Sequence, residues 1–189
     1  MEFERCNIPD VVICKPKVFG DHRGYFFESF RADEFHEFIG KKIDFCQDNE
    51  SKSTRGVIRG LHFQKPPFTQ SKLVRVVSGA VLDIAVDMRK DSEFFGQTVA
   101  VELNEDNKHQ LFVPRGFAHG FVVLSEEAVF SYKCDNYYAP TYDSGFNALD
   151  KTLDIDWKIK TAELLFSEKD KALPNFEDAF VFENSANLY

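Results

Sequence analysis

Short runs of alternating apolar and polar residues, separated by Gly, Pro or Asn, fill most of the first 135 positions. Such alternation is typical of half-buried β-strands. We therefore predict strands at 11–14, 18–19, 25–30, 43–49, 56–64, 72–77, 80–87, 97–103, 129–134 and, divided by a turn, 111–124. Pro16 interrupts the first two, which favours an edge strand or an arm over a central strand.

Other patterns indicate helices and turns. Phe35, Phe38 and Ile39 follow helical spacing and Gly40 comes next, so we predict a short helix over 32–39. Ser78-Gly79 predicts a hairpin, and the polar residues at 51–55 predict a loop. Strand signals fade after Pro140, and 161–166 and 167–173 have helical patterns.

Many short strands joined by tight turns favour an all-β jelly-roll barrel with short flanking helices. The expected organisation is one domain over 1–189, in which 1–30 form an arm and edge strands and 150–189 form a helical tail. A chain of 189 residues is long enough to bury a sizeable core, and 21 phenylalanines indicate that the core is rich in aromatic rings.

Composition restricts the classes of partner that the protein is expected to bind. The formal net charge is −8, which disfavours nucleic acid and anionic membranes as partners. We expect a cytoplasmic protein, because no apolar run approaches 20 residues and no charged and apolar leader opens the chain. Four separated cysteines without a C-x-x-C pair are interpreted as reduced thiols.

The run 56–64 carries Arg59, His62 and Gln64 among apolar residues. In a regular strand Arg59 and His62 point to opposite faces, but a bulge at Gly60 can direct both into one cavity. Our hypothesis is that His62 acts as a general base and Arg59 as an anion clamp. The alternative is a buried His62 bonded to the backbone, with Arg59 extended towards solvent.

Other polar residues have two interpretations each. Gln47-Asp48-Asn49 is either a polar turn or a set of ligand contacts, and His119 lies on an apolar face, where a satisfied core histidine is the commoner case. If the ligand is an anion, the candidates to bind it are Arg23, Arg59, Lys72 and Arg75.

The sequence lacks the motifs that are typical of several reaction classes. The sequence has no dinucleotide fingerprint, no P-loop and no G-x-S-x-G elbow. Gln64 stands two positions after His62 and His119 stands alone, so we expect no metal centre. A base, a lysine and a tyrosine on barrel strands suit proton transfer beside a carbonyl, in which His62 removes a proton, Lys72 stabilises the enolate and Tyr132 returns a proton to the opposite face.

Seven motifs, in order along the chain, together resemble the dTDP-4-dehydrorhamnose 3,5-epimerase family. They begin at Gly20-Asp21, Gln47, Arg59-Gly60-Leu61-His62, Lys72-Leu73-Val74-Arg75, Pro114, Tyr132-Lys133-Cys134 and Ser167-Glu168-Lys169-Asp170. The resemblance implies a cofactor-free, homodimeric, cupin-type jelly roll that epimerises dTDP-4-dehydro-6-deoxy-D-glucose at C3 and C5.

The same resemblance implies roles for individual residues. The catalytic set is His62 as base, Asp170 as its dyad partner, Lys72 as enolate stabiliser and Tyr132 as acid. The implied substrate contacts are Phe19, Arg23, Glu28, Gln47, Asn49, Arg59, His119 and Tyr138. Further candidates for substrate binding are Asp48, Asp143 and Lys169. Part of the thymidine pocket is expected to come from the N-terminal region of the other subunit.

Two positions stay open. Ser167 and Asp170 also fit a helix cap, so Asp170 belongs either to the cap or to the dyad. Asp143 stands where the family usually has Glu, which shortens its reach by about 1.5 Å. The alternatives are an epimerase acting at C3 only, one acting on another nucleotide-linked 4-keto sugar, a cupin metalloenzyme, or a non-catalytic binding module.

Overall fold

The computed structural model describes residues 1–189 and contains thirteen strands in three sheets. The six-stranded sheet has the order β1 (Glu2–Arg5), β2 (Val12–Lys15), β10 (Gln110–Val113), β7 (Lys72–Ser78), β12 (Glu127–Cys134) and β5 (Gln47–Thr54). The five-stranded sheet has the order β13 (Asp143–Gly145), β6 (Ile58–Gln64), β11 (Phe117–Val123), β8 (Ala80–Asp87) and β9 (Thr98–Asn104). The remaining two strands, β3 (Val18–Asp21) and β4 (Gly24–Phe27), pair only with each other.

The two large sheets pack face to face over a shared apolar core. Val74 and Phe130 of the six-stranded sheet join Val81, Ala85 and Phe121 of the five-stranded sheet in one buried cluster. Phe121 and Phe130 stack across the interface with ring centroids 4.1 Å apart. Two packed antiparallel sheets agree with the predicted all-β jelly roll.

The five-stranded sheet is also covered on its outer face. There Phe146, Trp157 and Phe182 from the last third of the chain pack on Leu61 and Ile84. Burial on both faces explains why β8 and β11 are almost continuously apolar instead of alternating. Of the two helices predicted in the tail, the one over 167–173 is present as the shorter α2 (Glu168–Lys171). The one over 161–166 was wrong, since only a 3-10 turn forms there, at Thr161–Glu163.

Helix α1 (Ala32–Ile39) has the predicted bounds and ends at Gly40, whose φ of 78° is the left-handed conformation that glycine adopts freely. Its Phe35 is buried against Val12, Leu73 and Phe112 on the outer face of the six-stranded sheet.

Two strand predictions were wrong. The predicted strand over 43–49 begins at Gln47, and the residues predicted as a polar loop at 51–55 continue β5 to Thr54. This strand lies at the sheet edge, where one face is exposed and polar side chains are tolerated. β2 was predicted at an edge, yet it pairs with β1 on one side and β10 on the other. The polar residues of β1 gave no strand signal.

The hairpin predicted at Ser78-Gly79 was also wrong. The turn joins β7 to β8, but these strands lie in different sheets, as do β10 and β11 on either side of Pro114. Each turn is therefore a corner at which the chain passes from one sheet to the other. Local turn chemistry is the same in both cases, so the sequence does not distinguish a hairpin from a corner.

None of the helices combines the length and the apolar character that crossing a membrane requires.

Candidate active site

Two adjacent cavities of about 500 and 420 Å³ open between the large sheets. We call them together the cleft. Five residues line both cavities: Arg59, His62, Lys72, Tyr132 and Lys169. Four of them had been predicted as catalytic or anion-binding residues. The cleft therefore collects most of the candidate chemistry in one place.

Strand β6 brings Arg59 and His62 to the cleft because its pairing with β11 is irregular. His62 lies opposite His119 and Arg59 opposite Phe121, with a shift of register between them. Gly60 has a φ of 124°, and a Cβ there would lie 2.6 Å from the Cα of Gly120. Only glycine permits this approach, and the predicted convergence of Arg59 and His62 on one cavity is confirmed.

His62 pairs with the carboxylate of Asp170. The His62 Nε2 lies 2.6 Å from Asp170 Oδ1, and Ser167 Oγ donates to Asp170 Oδ2 at 2.8 Å. Burial opposes ionisation of Asp170, but the hydrogen bonds from His62 and Ser167 outweigh it and lower the pKa of this carboxyl below its ordinary value. A carboxylate that accepts from Nε2–H leaves Nδ1 as the basic nitrogen of His62, and Nδ1 has no partner within the chain.

The cap and the dyad exist together. The backbone N–H of Asp170 donates to Ser167 Oγ at 3.1 Å, which is the N-cap contact of α2. The same hydroxyl donates to the carboxylate that holds His62. Helix α2 therefore orients Asp170 through its backbone and through its side chain at once.

Lys72 and Tyr132 lie on the opposite wall of the cleft, in the six-stranded sheet. Tyr132 pairs with Val74 and Cys134 pairs with Lys72, so both functional side chains leave the same face of the sheet. Neither the Lys72 ammonium nor the Tyr132 hydroxyl has a hydrogen-bond partner, and Lys72 forms no ion pair. Burial lowers the pKa of Lys72 and raises that of Tyr132.

His119 lines the cleft and is fixed from behind. Its Nε2 lies 2.8 and 3.0 Å from the two oxygens of Asp83, a fully buried carboxylate on β8. Burial raises the pKa of Asp83, although His119 opposes the shift. Both interpretations of His119 thus agree with its position, because the ring is satisfied by a core partner and also borders the cavity.

The second cavity has a polar wall formed by β5 and by the segment around Asp143. Gln47 Nε2 donates to Asn49 Oδ1 at 2.9 Å, and the backbone N–H of Tyr138 donates to Gln47 Oε1 at 3.1 Å. The Tyr138 hydroxyl donates to Asp143 Oδ2 at 3.2 Å, and the same oxygen pairs with Lys169. Asp143, despite its shorter side chain, belongs to the cleft.

Comparison with known proteins agrees with this geometry. The sequence profile described as dTDP-4-dehydrorhamnose 3,5-epimerase matches residues 5–178. The chain belongs to this family. The dTDP-4-dehydrorhamnose 3,5-epimerase of Shigella flexneri is 50% identical over 182 residues, 96% of this chain and 99% of that protein. The predicted resemblance is confirmed.

Two solved epimerase structures extend the likeness to the fold. The dTDP-4-dehydrorhamnose 3,5-epimerase of Elizabethkingia anophelis has a TM-score of 0.91 at 50% identity and covers 94% of this chain and 97% of its own. The dTDP-6-deoxy-D-glucose-3,5-epimerase of Legionella pneumophila, solved with dTDP-4-keto-L-rhamnose, has a TM-score of 0.92 at 42% identity. It covers 97% of this chain and 98% of its own, so the jelly-roll fold is confirmed.

Four of the candidate substrate contacts lie outside the cleft of their own chain. Asp48 is on the opposite face of β5, where its carboxylate pairs with Lys133 at 2.9 Å, because alternation along the strand places only Gln47 and Asn49 inward. Phe19 and Arg23 belong to the β3–β4 hairpin, and Glu28 follows it. Arg23 pairs there with Asp21 at 2.5 Å. Of the other anion candidates, Arg75 lies 5.9 Å from the ring of Phe27 and does not line the cleft.

Sequence reasoning missed most of the supporting contacts of this epimerase-family site. Asp83 and Ser167 hold His119 and Asp170, and Ser53 Oγ accepts from Arg59 Nε at 3.1 Å. Ser167 was predicted only as a helix cap. For Asp83 the available signal was its place inside the apolar β8, since a buried carboxylate requires a partner. Gln64, at the position compared with a metal ligand, uses its amide to bond the backbone of Phe68, Tyr137 and Ala139.

Proposed function

We propose that the protein epimerises dTDP-4-dehydro-6-deoxy-D-glucose at C3 and C5 to dTDP-4-dehydro-L-rhamnose, a step of dTDP-rhamnose biosynthesis. One observation carries the proposal. A histidine paired with a carboxylate faces a tyrosine with no internal partner across a cleft that also contains an unpaired lysine. This is the arrangement that inversion beside a ketone requires, and relatives that are about half identical carry the name of that reaction.

His62 begins the reaction. Nδ1 takes a proton from the carbon next to the C4 ketone, and the electrons of that C–H bond move to the ketone oxygen to form an enolate. Asp170 stabilises the imidazolium that results, as a carboxylate does for other histidine bases. The positive charge of Lys72 stabilises the enolate oxygen.

Tyr132 completes the inversion. Its hydroxyl gives a proton to the face opposite His62, the ketone re-forms, and solvent restores the protonation of both groups. Because burial raises the pKa of Tyr132, this hydroxyl keeps its proton until it is needed. C3 and C5 both flank C4, so one enolate site serves both carbons.

The cleft also suits an anionic substrate. The protein is acidic as a whole, yet Arg59, Lys72 and Lys169 all line the same cavities. Cations concentrated in one pocket attract a diphosphate that the rest of the surface repels. We assign Arg59 and His119 to the diphosphate end, and Gln47, Asn49, Tyr138, Asp143 and Lys169 to the remaining nucleotide-sugar contacts.

We further propose a homodimer in which the β3–β4 hairpin of one subunit completes the cleft of the other. The hairpin pairs with no other strand of its own chain and exposes apolar side chains, among them Phe19 at 55% and Phe26 at 69%. Exposed rings on an isolated hairpin favour a partner surface. In this arrangement Phe19, Arg23 and Glu28 contact the substrate in the cleft of the other subunit. The cytoplasmic location stays a prediction.

The test is proton NMR of the substrate incubated with the protein in heavy water. We expect deuterium at both C3 and C5 with wild-type protein, and none with His62→Ala, because the base is absent. His109→Gln is the control, since this histidine lies outside the cleft. Exchange at C3 alone would favour the single epimerase, and no exchange would contradict the proposal. Retained dTDP binding by His62→Ala would show that its cleft is intact.

A further inference from the structure

Three strand ends meet beside Lys72. This residue opens β7 and pairs with Val113 of β10 on one side and with Cys134 of β12 on the other. Ser71 precedes Lys72, Asp135 follows Cys134, and Arg115 lies two residues after Val113. The backbone that carries Lys72 is therefore bordered by these three side chains.

Ser71 and Asp135 are tied closely together. The backbone N–H and the hydroxyl of Ser71 both donate to the Asp135 carboxylate, at 2.6 and 2.9 Å, and the Asp135 N–H donates to Ser71 O at 3.2 Å. Arg115 Nε donates to the same carboxylate at 3.0 Å. Ser71 is fully buried, so these contacts are screened from water.

Tyr189 joins this network from the far end of the chain. Ser71 gives its only hydroxyl proton to Asp135, so it accepts from the Tyr189 hydroxyl at 2.9 Å. The Tyr189 oxygen in turn accepts the backbone N–H of Arg115 at 3.1 Å. One phenolic oxygen thus connects the residue before β7 with the turn that follows β10.

The neighbouring residue holds Tyr189 in place. Leu188 is 6% exposed and packs in the core, and its carbonyl accepts from Arg115 Nη1 at 2.8 Å. Lys41 lies 3.9 Å from the centre of the Tyr189 ring, a cation–π contact. The Leu188–Tyr189 segment is therefore fixed by packing, by hydrogen bonds and by charge.

We propose that Tyr189 is a positioning residue for Lys72, an inference that rests on the proposed epimerase function. No hydrogen bond or ion pair of its own fixes the Lys72 ammonium, so its place depends on where β7 begins. The Tyr189 hydroxyl is one of the contacts that fix that point, because it bonds Ser71 Oγ, which Asp135 also holds. Catalytic groups tolerate little displacement, since a shift of about 1 Å can lower a rate by two orders of magnitude.

Tyr189→Phe tests the proposal, because it removes the hydroxyl and keeps the ring. We expect kcat for deuterium exchange to fall about tenfold, while KM and the affinity for dTDP change less than about twofold. Tyr137→Phe is the matched control, since it removes a phenolic hydroxyl that has no partner on a side chain that is 64% exposed. It is expected to leave kcat unchanged.

A second variant keeps the test decisive. Ser71→Ala breaks the same connection and is expected to lower kcat similarly, and the double variant with Tyr189→Phe should be no slower than Ser71→Ala alone. Unchanged kcat in Tyr189→Phe, fully additive losses, or equal changes in kcat and KM would each overturn the proposal. If wild-type protein gives no exchange, the proposed function fails instead. Exchange by wild type that Tyr189→Phe leaves intact rejects only the positioning role.

Discussion

At the scale of single residues, some ionisable side chains of the cleft are held by hydrogen bonds and others have no partner. Asp170 is held by two hydrogen bonds and Asp83 holds His119, whereas the Lys72 ammonium has neither a hydrogen bond nor an ion pair within the chain. Buried cations without a partner lose their proton more easily than exposed ones. The pH dependence of the two kinds of group should therefore differ.

Lys72 is expected to set the alkaline limit of activity. Burial lowers its pKa below the ordinary value of 10.5, so the charge proposed to stabilise the enolate disappears as pH rises through this lowered pKa. Burial shifts Tyr132 the other way, because it raises the pKa of this hydroxyl above 10.0. Lys72→Arg should move the alkaline fall in kcat/KM to higher pH, because arginine stays charged. The pH dependence of kcat/KM is measured from initial exchange rates, corrected for uncatalysed exchange. If activity falls at the same alkaline pH in Lys72→Arg as in wild type, another group causes the fall.

Asp170 is expected to make the stability of the fold depend on pH in the acid range. Its pKa is lower in the folded protein than the ordinary 3.8, so its ionised form stabilises the fold above that value, and the contribution is lost as pH falls through the lowered pKa. The difference in Tm between wild type and Asp170→Asn should be largest near neutral pH and should shrink on acidification. Asp106→Asn, which removes an exposed carboxylate, is the control. A difference that is constant with pH would contradict the pairing.

At the scale of elements, the irregular pairing of β6 with β11 decides whether the site exists. Arg59 and His62 would face opposite ways in a regular strand, and they share a cavity because Gly60 lets the two backbones approach. The position is therefore both a packing requirement and a functional one.

Gly60→Ala should damage stability and activity together. The new Cβ would lie 2.6 Å from Gly120 Cα on a backbone with φ 124°, and we expect a loss of about 3 kcal/mol in the free energy of unfolding. Urea denaturation measures this loss, and exchange in heavy water measures activity. Gly20→Ala is the control for stability, because its nearest neighbour would lie 3.7 Å away. Equal stability of both variants would show that the close approach is unimportant.

The sequence predicted the elements whose signals are local. The 32–39 helix and the strand cores around Val74, Ile84 and Phe130 agree with the structure, because apolar period and glycine punctuation are properties of a short segment. Sheet membership is not such a property. The turn at Ser78-Gly79 has hairpin chemistry, and only packing of the whole chain makes it a corner.

The candidate site divides in the same way. The convergence of Arg59 and His62 could be inferred from Gly60, which lies between them. The pairing of His62 with Asp170 spans 108 positions, and only the family resemblance suggested it. Asp48 lies outside the cleft of its own chain, because neighbouring residues of a strand face opposite ways and Gln47 and Asn49 take the inward positions.

At the scale of the whole molecule, one chain builds most of a cleft and leaves a hairpin unpaired. Gln47, Asn49 and Tyr138 line the cleft, while Phe19 and Arg23 lie in the isolated β3–β4 hairpin. If the hairpin of one subunit completes the cleft of the other, a chain with a damaged hairpin and a chain with a damaged cleft can be combined in one dimer.

Mixed dimers should recover activity from two inactive variants. His62→Ala damages the cleft and keeps the hairpin, and a Phe19→Ala, Arg23→Ala variant does the reverse. Random pairing of the two chains makes half of the dimers mixed, with one complete site each, so about a quarter of all clefts should be active. Co-expression with two affinity tags isolates the mixed dimers. No recovery in dimers proven to be mixed would contradict the exchange of hairpins.

The stacked rings of Phe121 and Phe130 have a consequence for the alignment of the reacting groups. One ring comes from each sheet, their centroids are 4.1 Å apart, and both border the cavity that contains His62 and Tyr132. These rings pack between the wall that carries His62, the proposed base, and the wall that carries Tyr132, the proposed acid. Smaller side chains at either position would leave a cavity between the walls and loosen the placement of one group relative to the other. The alignment of the two reacting groups therefore depends on core packing as much as on the groups themselves.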